Sequence, residues 1–255
     1  MPHVSINGID LFYHVEGEGP TLVFCHGVGG NHLSWWQQVP FFSRYFRCVT
    51  FDHRGFALSP NTVDGVGAEA FSSDLAALLD HLGADGRVFL VGQSMGGRTV
   101  VNFAKRFPDR VEAIVMSGSV GNVRTPELDR IRKEVSAALP ADRLEAAMAR
   151  RVLEERPHLL YLFKLISMRN PPRPKRFLWR DNSPGTTVDD LARLTVPALF
   201  LVGEEDRIAP PHMVEAAYRH FPNARLQRIP DAGHSIYFEQ PDQFNRAVME
   251  FLEGH

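Results

Sequence analysis

The sequence predicts an α/β protein built on a doubly wound, mostly parallel sheet with an inserted helical segment, and three observations carry that prediction. Short, continuous apolar runs recur along the chain, each followed by a stretch of helical periodicity, as in strands buried on both faces. The stretches between them are long enough to act as crossover connections. The rhythm lapses between residues 122 and 196 and then resumes.

Taken in order, Val4 and Ile6, then Ile9, Leu11, Tyr13 and Val15, alternate across Asn7-Gly8, a dipeptide that accepts the positive φ angles of a tight hairpin turn. An antiparallel edge hairpin is expected there. Apolar runs at 21–25, 47–51, 87–91 and 111–117 read as parallel strands, with helical patterns at 34–44, 68–82 and 95–107 between them. After the lapse come a strand at 198–202, a helix at 211–221, a strand at 224–229 and a helix at 241–252. The interrupted stretch holds helical pattern, prolines and charge but no convincing strand. It carries 15 Lys or Arg against 10 Asp or Glu, net +5, whereas the rest of the chain carries −7.

Totals narrow the function. A chain of 255 residues fits one domain with an insertion, and a net charge of −2 gives no global case for nucleic acid or a membrane surface. Cys25 and Cys48 lie inside apolar runs and read as buried thiols, so a disulfide framework is not expected. The opening residues lack the charged and apolar regions of a secretion signal, and no run approaches a membrane span; a cytoplasmic protein is expected. Neither H-E-x-x-H nor Cys-x-x-Cys occurs, so no metal or other cofactor is implied, and a small-molecule substrate is the expected partner. Oligomeric state stays open.

Gly92-Gln93-Ser94-Met95-Gly96 follows an apolar run and opens a helical one. A bare G-x-S-x-G would also suit a glycine-rich turn, but between strand and helix it places a serine in a strained backbone with its hydroxyl exposed. A serine hydroxyl needs a base during attack, and histidine can take and return a proton near neutral pH. Of 11 histidines, His234 is singled out by its place after the last strand in Asp231-Ala232-Gly233-His234. A carboxylate must hold the other ring nitrogen, and Asp206, after the 198–202 strand, is placed for it beside its possible confusers Glu204 and Glu205.

Four further motifs, His26-Gly27-Val28-Gly29-Gly30, Asp52-His53-Arg54-Gly55, Gly203-Glu204-Glu205-Asp206 and Gly233-His234, combine with the serine turn in the order Ser, Asp, His. On these the chain resembles the α/β-hydrolase superfamily over nearly its whole length, although Phe56-Ala57 departs from that superfamily's usual D-x-R-G-x-G turn. The resemblance implies a hydrolase core at 1–121 and 197–255 and a helical cap at 122–196. It also implies an oxyanion hole from the backbone N–H groups of Val28 and Met95, the latter at a helix N-terminus. Gly27, Trp35 and Trp179 complete the expected substrate-binding set, with a core role for Trp35 the stronger alternative. Asp52 and Arg54 read as a structural turn, Asn31 as a helix cap or ligand contact, and the run at 169–176 as a solvated loop. The positive charge of 122–196 hints at a carboxylate-bearing substrate.

These readings converge on a serine esterase or lactonase working through an acyl-enzyme. Two alternatives stay open. Hydrolysis of a carbon-carbon bond in a ring-cleavage dienoic acid would use the same triad, but similar proteins that do so carry tryptophan after the histidine, where this chain has Ser235. A ligand-binding receptor with vestigial hydrolysis would not need the intact set of catalytic residue types.

Overall fold

The computed structural model describes residues 2–61, 67–172 and 185–255. Eight strands share one sheet: β1 (His3–Ile6), β2 (Ile9–Glu16), β3 (Thr21–Cys25), β4 (Arg47–Phe51), β5 (Val88–Gln93), β6 (Val111–Ser117), β7 (Ala198–Gly203) and β8 (Ala224–Ile229). Their spatial order is β1-β2-β4-β3-β5-β6-β7-β8. β1, β2 and β4 pair antiparallel, and every later pairing is parallel. The opening hairpin turns on Asn7 and Gly8, whose φ angles of 47° and 77° match the positive values that a two-residue turn demands.

Alternate residues of the central strands serve two cores. Val23, Val49, Leu90, Ile114 and Phe200 face one core with α2 (Phe71–His81) and α3 (Met95–Arg106). Leu22, Phe24, Val91, Val115 and Leu201 face the other, which receives Phe42 of the short α1 (Val39–Phe42). Burial on both faces explains why these strands read as unbroken apolar runs. Cys25 and Cys48 fall in opposite cores as buried free thiols, and burial pushes the Cys48 thiol up to about 12.

Five described helices connect β6 to β7: α4 (Pro126–Ala138), α5 (Arg143–Ala146), α6 (Arg150–Glu155), α7 (Pro157–Met168) and α8 (Val188–Ala192). The segment is tied to the sheet by a bridge between Val123 and Thr186. The chain closes with α9 (Pro211–Tyr218), α10 (Ile236–Glu239) and α11 (Pro241–Leu252).

Two expectations give way. The helix expected at 34–44 is a 3₁₀ turn, His32–Trp35, followed by the four-residue α1, because Pro40 has no N–H to donate and fits only a helix's first turn. β5 runs two residues past the expected end, to Gln93, which carries the strand directly into the serine turn.

Candidate active site

Ser94 sits between the end of β5 and the start of α3 at φ 51° and ψ −111°, a left-handed conformation that a non-glycine residue adopts only when its surroundings impose it. They do so here: its N–H donates to Ser117 O at 2.9 Å, and its carbonyl accepts from Ser119 Oγ at 2.7 Å and Gly97 N at 3.1 Å. The turn also needs room. A Cβ on Gly96 would lie 1.9 Å from Cys25 O, and one on Gly27 would lie 1.9 Å from Gln93 Oε1 and 3.2 Å from Ser94 Cβ. Glycine at these two places lets α3 close on β3 and the His26–Gly30 loop close on the serine.

His234 follows β8 and is 5% exposed, Asp206 follows β7 and is 3% exposed, and their side chains meet at 2.8 Å, Nδ1 to Oδ2. A carboxylate has no hydrogen to give, so Nδ1 donates to it, which in a neutral ring leaves the lone pair on Nε2. The other oxygen, Asp206 Oδ1, accepts from Ile208 N and Ala209 N, each at 2.8 Å, which fixes the carboxylate. Glu204 and Glu205 are exposed instead, and Glu205 accepts from Arg150 N at 3.1 Å. Ser94 and His234 line one cavity of about 400 Å³.

A residue that sequence reasoning missed holds the histidine loop. Glu239 is fully buried, and its carboxylate accepts from Gly233 N at 3.0 and 3.1 Å, Ser235 N at 3.2 Å and Ala149 N at 2.7 Å. Two of these donors flank His234 and the third belongs to the segment between α5 and α6. Burial pushes the carboxyl up to about 7 against the pull of the three amides, and nearby Asp206 adds to the rise. A glutamate five residues after the histidine is a visible signal in retrospect, but one of its three partners lies 90 residues away.

The remaining expectations divide. Met95 is the first residue of α3, where N–H groups lack intrahelical acceptors, and the Val28 side chain packs against the small cluster that contains Met95. Trp35 is corrected: it is fully buried, with ring centroids 5.0 Å from Phe24 and 4.6 Å from Tyr237, so it packs the core and does not line the cavity. Trp179 and residues 173–176 of the basic run lie outside the described residues. Asn31 caps the 3₁₀ turn through Leu33 N at 3.1 Å and also donates to Ile166 O of α7 at 2.8 Å. Asp52 binds His32 Nδ1 and Leu58 N, and Arg54 pairs with buried Asp74 at 2.6 Å, so this turn is structural in its contacts.

A nucleophile turn, a histidine–carboxylate pair and a shared cavity at the carboxyl rim of a parallel sheet define a hydrolase-like site. The chain belongs to the alpha/beta hydrolase family, whose model matches residues 22–247. It is 29% identical to a putative non-heme bromoperoxidase, BpoC, of Mycobacterium tuberculosis, over 96% of this chain and 98% of that protein. It is also 29% identical to a 2-hydroxy-6-oxononadienedioate/2-hydroxy-6-oxononatrienedioate hydrolase of Dechloromonas aromatica, over 96% of this chain and 91% of that one. Among solved structures, a thermophilic esterase of Thermogutta terrifontis superposes with a TM-score of 0.85 at 28% identity, covering 100% of this chain and 99% of that one. Est816, described as an N-acyl homoserine lactone degrading enzyme, superposes with a TM-score of 0.83 at 27% identity, covering 98% and 100%.

Proposed function

We propose that the protein is a serine hydrolase of small carboxylic esters or lactones, acting through an acyl-enzyme. Ser94 Oγ attacks the carbonyl carbon while Nε2 of His234 takes its proton, and Asp206 steadies the imidazolium through Nδ1. The carbonyl oxygen becomes an oxyanion held by the N–H groups of Met95 and Val28; losing one such donor costs roughly 10²–10³ in rate. Collapse expels the alcohol, which receives the proton from His234. Water then attacks the acyl-enzyme with His234 again as base, releasing the acid and restoring Ser94. The helices between β6 and β7 act as a cap over this chemistry, and the two buried thiols fit a reducing, cytoplasmic setting. No described helix is long and apolar enough to cross a membrane.

The observation that carries the reading is the 2.8 Å Asp206–His234 contact in a cavity that His234 shares with a strained Ser94. The esterase and lactone-degrading enzyme that superpose over nearly the full chain support it. Replacing Ser94 by Ala is expected to abolish turnover of a p-nitrophenyl ester and labelling by a fluorophosphonate probe in a protein that stays folded. Unchanged turnover removes Ser94 from the mechanism, and an unlabelled wild-type serine favours a ligand-binding role instead.

A second reading, carbon-carbon hydrolysis of a dienoic acid on the same residues, is favoured by the printed activity of the Dechloromonas aromatica relative. Ser235 after the histidine stands against it. Direct assay with a vinylogous diketo acid separates the two.

A further inference from the structure

The cavity that holds Ser94 and His234 is also lined by Arg98, Arg124 and Arg132, and among the described lining residues there is no Asp or Glu. Arg98 lies in the first turn of α3, four residues past Ser94 in the chain, and is only 6% exposed. Burial draws its guanidinium down from its ordinary value, while exposed Glu69 acts in the opposite sense. Arg124 and Arg132 converge on Asp129: Arg124 donates from Nε at 2.8 Å and Nη2 at 3.1 Å, and Arg132 from Nη1 at 2.8 Å. Arg132 Nη2 donates to Val123 O. Asp129 thus orients two forks of five N–H donors each without using all of them.

Charge and shape agree. Three guanidiniums line the cavity and, among its described lining residues, no carboxylate does, which suits an anionic group. Met95, Val120, Ile208, Ala209 and Met213 supply apolar wall to the same cavity, where weaker solvent screening strengthens attraction. A cavity of about 400 Å³ accommodates a small molecule that touches both the serine and an arginine.

We propose that the arginines of the cavity bind a carboxylate of the ester or lactone substrate, so that the protein selects anionic over neutral acyl compounds. The inference rests on Ser94 being the nucleophile, and its test separates the two.

The first measurement compares kcat/KM for p-nitrophenyl hydrogen adipate with its methyl-capped counterpart, and for 4-carboxyphenyl butyrate with 4-carbamoylphenyl butyrate. Wild type should prefer the anion by roughly tenfold to a hundredfold in at least one pair, as for charge-assisted hydrogen bonds. The preference should fall toward unity in R132Q, in the more exposed R124Q, and in high salt. R130Q, which removes an equal charge from the Arg130–Glu134 pair on the same helix, should keep it. Equal rates in both pairs, or equal loss in R130Q and R132Q, overturn the subsite while leaving the esterase reading intact.

The second measurement needs no turnover: monomethyl adipate, but not dimethyl adipate, should raise the melting temperature of the Ser94→Ala protein, and R124Q should remove the shift. If no ester is cleaved, the functional reading fails while this shift still reports on the subsite. Its absence overturns the subsite.

Discussion

The sheet rim and the helices between β6 and β7 treat polar groups in opposite ways. At the rim, Asp206, His234 and Glu239 are almost wholly buried, and each carboxylate is saturated by donors at fixed distances. On the inserted helices, Lys164 meets Asp142 and Arg130 meets Glu134 in pairs that solvent reaches freely. Buried groups that lose a partner have no water to replace it, whereas exposed ions do. The difference teaches that rim residues hold one geometry, while these ion pairs of the insertion are solubilising surface; Arg124 and Arg132, gathered on Asp129, are described residues of it that line the cavity.

That comparison can be broken or sharpened by substitution. Ser94→Ala carries the largest expected effect, a fall in kcat of roughly 10⁴–10⁶ in steady-state ester hydrolysis. Asp206→Asn should cost roughly 10⁴ in kcat with the protein still folded, since Oδ1 can go on accepting from Ile208 and Ala209 while the histidine loses its fixed tautomer. A loss smaller than tenfold would mean that another group orients His234.

Glu239→Gln comes next. Its amide nitrogen would replace one oxygen and point N–H groups at two of the three N–H donors, so a stability loss of about 1–3 kcal/mol by urea denaturation and a fall in kcat of up to roughly 10² are expected. The pH dependence has a definite sign. A carboxyl held at about 7 when folded, well above its ordinary value, favours the protonated folded state, a contribution full below the ordinary value and lost as pH rises through about 7. The stability advantage of wild type over the glutamine variant should therefore shrink from about pH 5 to about pH 8; an advantage that widens would contradict the burial argument. Smallest of all, Lys164→Ala should change stability by no more than about 1 kcal/mol, its partner being as exposed as itself.

What the sequence disclosed depended on whether the physics was local. Ser94, Asp206 and His234 stand at strand ends within short patterns, because a sharp turn after a buried strand leaves a signature in neighbouring residues. The parallel strands were readable for the same reason, through burial on both faces. Glu239 was not, since its role comes from Ala149, far along the chain. Nor was the arginine wall: a regional excess of +5 is visible in the sequence, but the inclusion of Arg98, outside that region, needs α3 and α4 placed against one cavity. Trp35 was misplaced because a tryptophan after a glycine loop looks the same whether its ring turns toward Phe24 or toward substrate.

The carboxylate of Glu239 joins two parts of the chain that recombination would otherwise treat as interchangeable. Exchanging residues 122–196 for the corresponding stretch of a related hydrolase would replace the Ala149 N–H by whatever main-chain group the new segment brings to Glu239. A graft that places no N–H there would leave an acidic group short of a donor one loop from His234. Chimeras that keep helices between β6 and β7 but not this main-chain donor should lose turnover even on substrates the new segment accommodates, and the deficit should deepen in alkaline buffer.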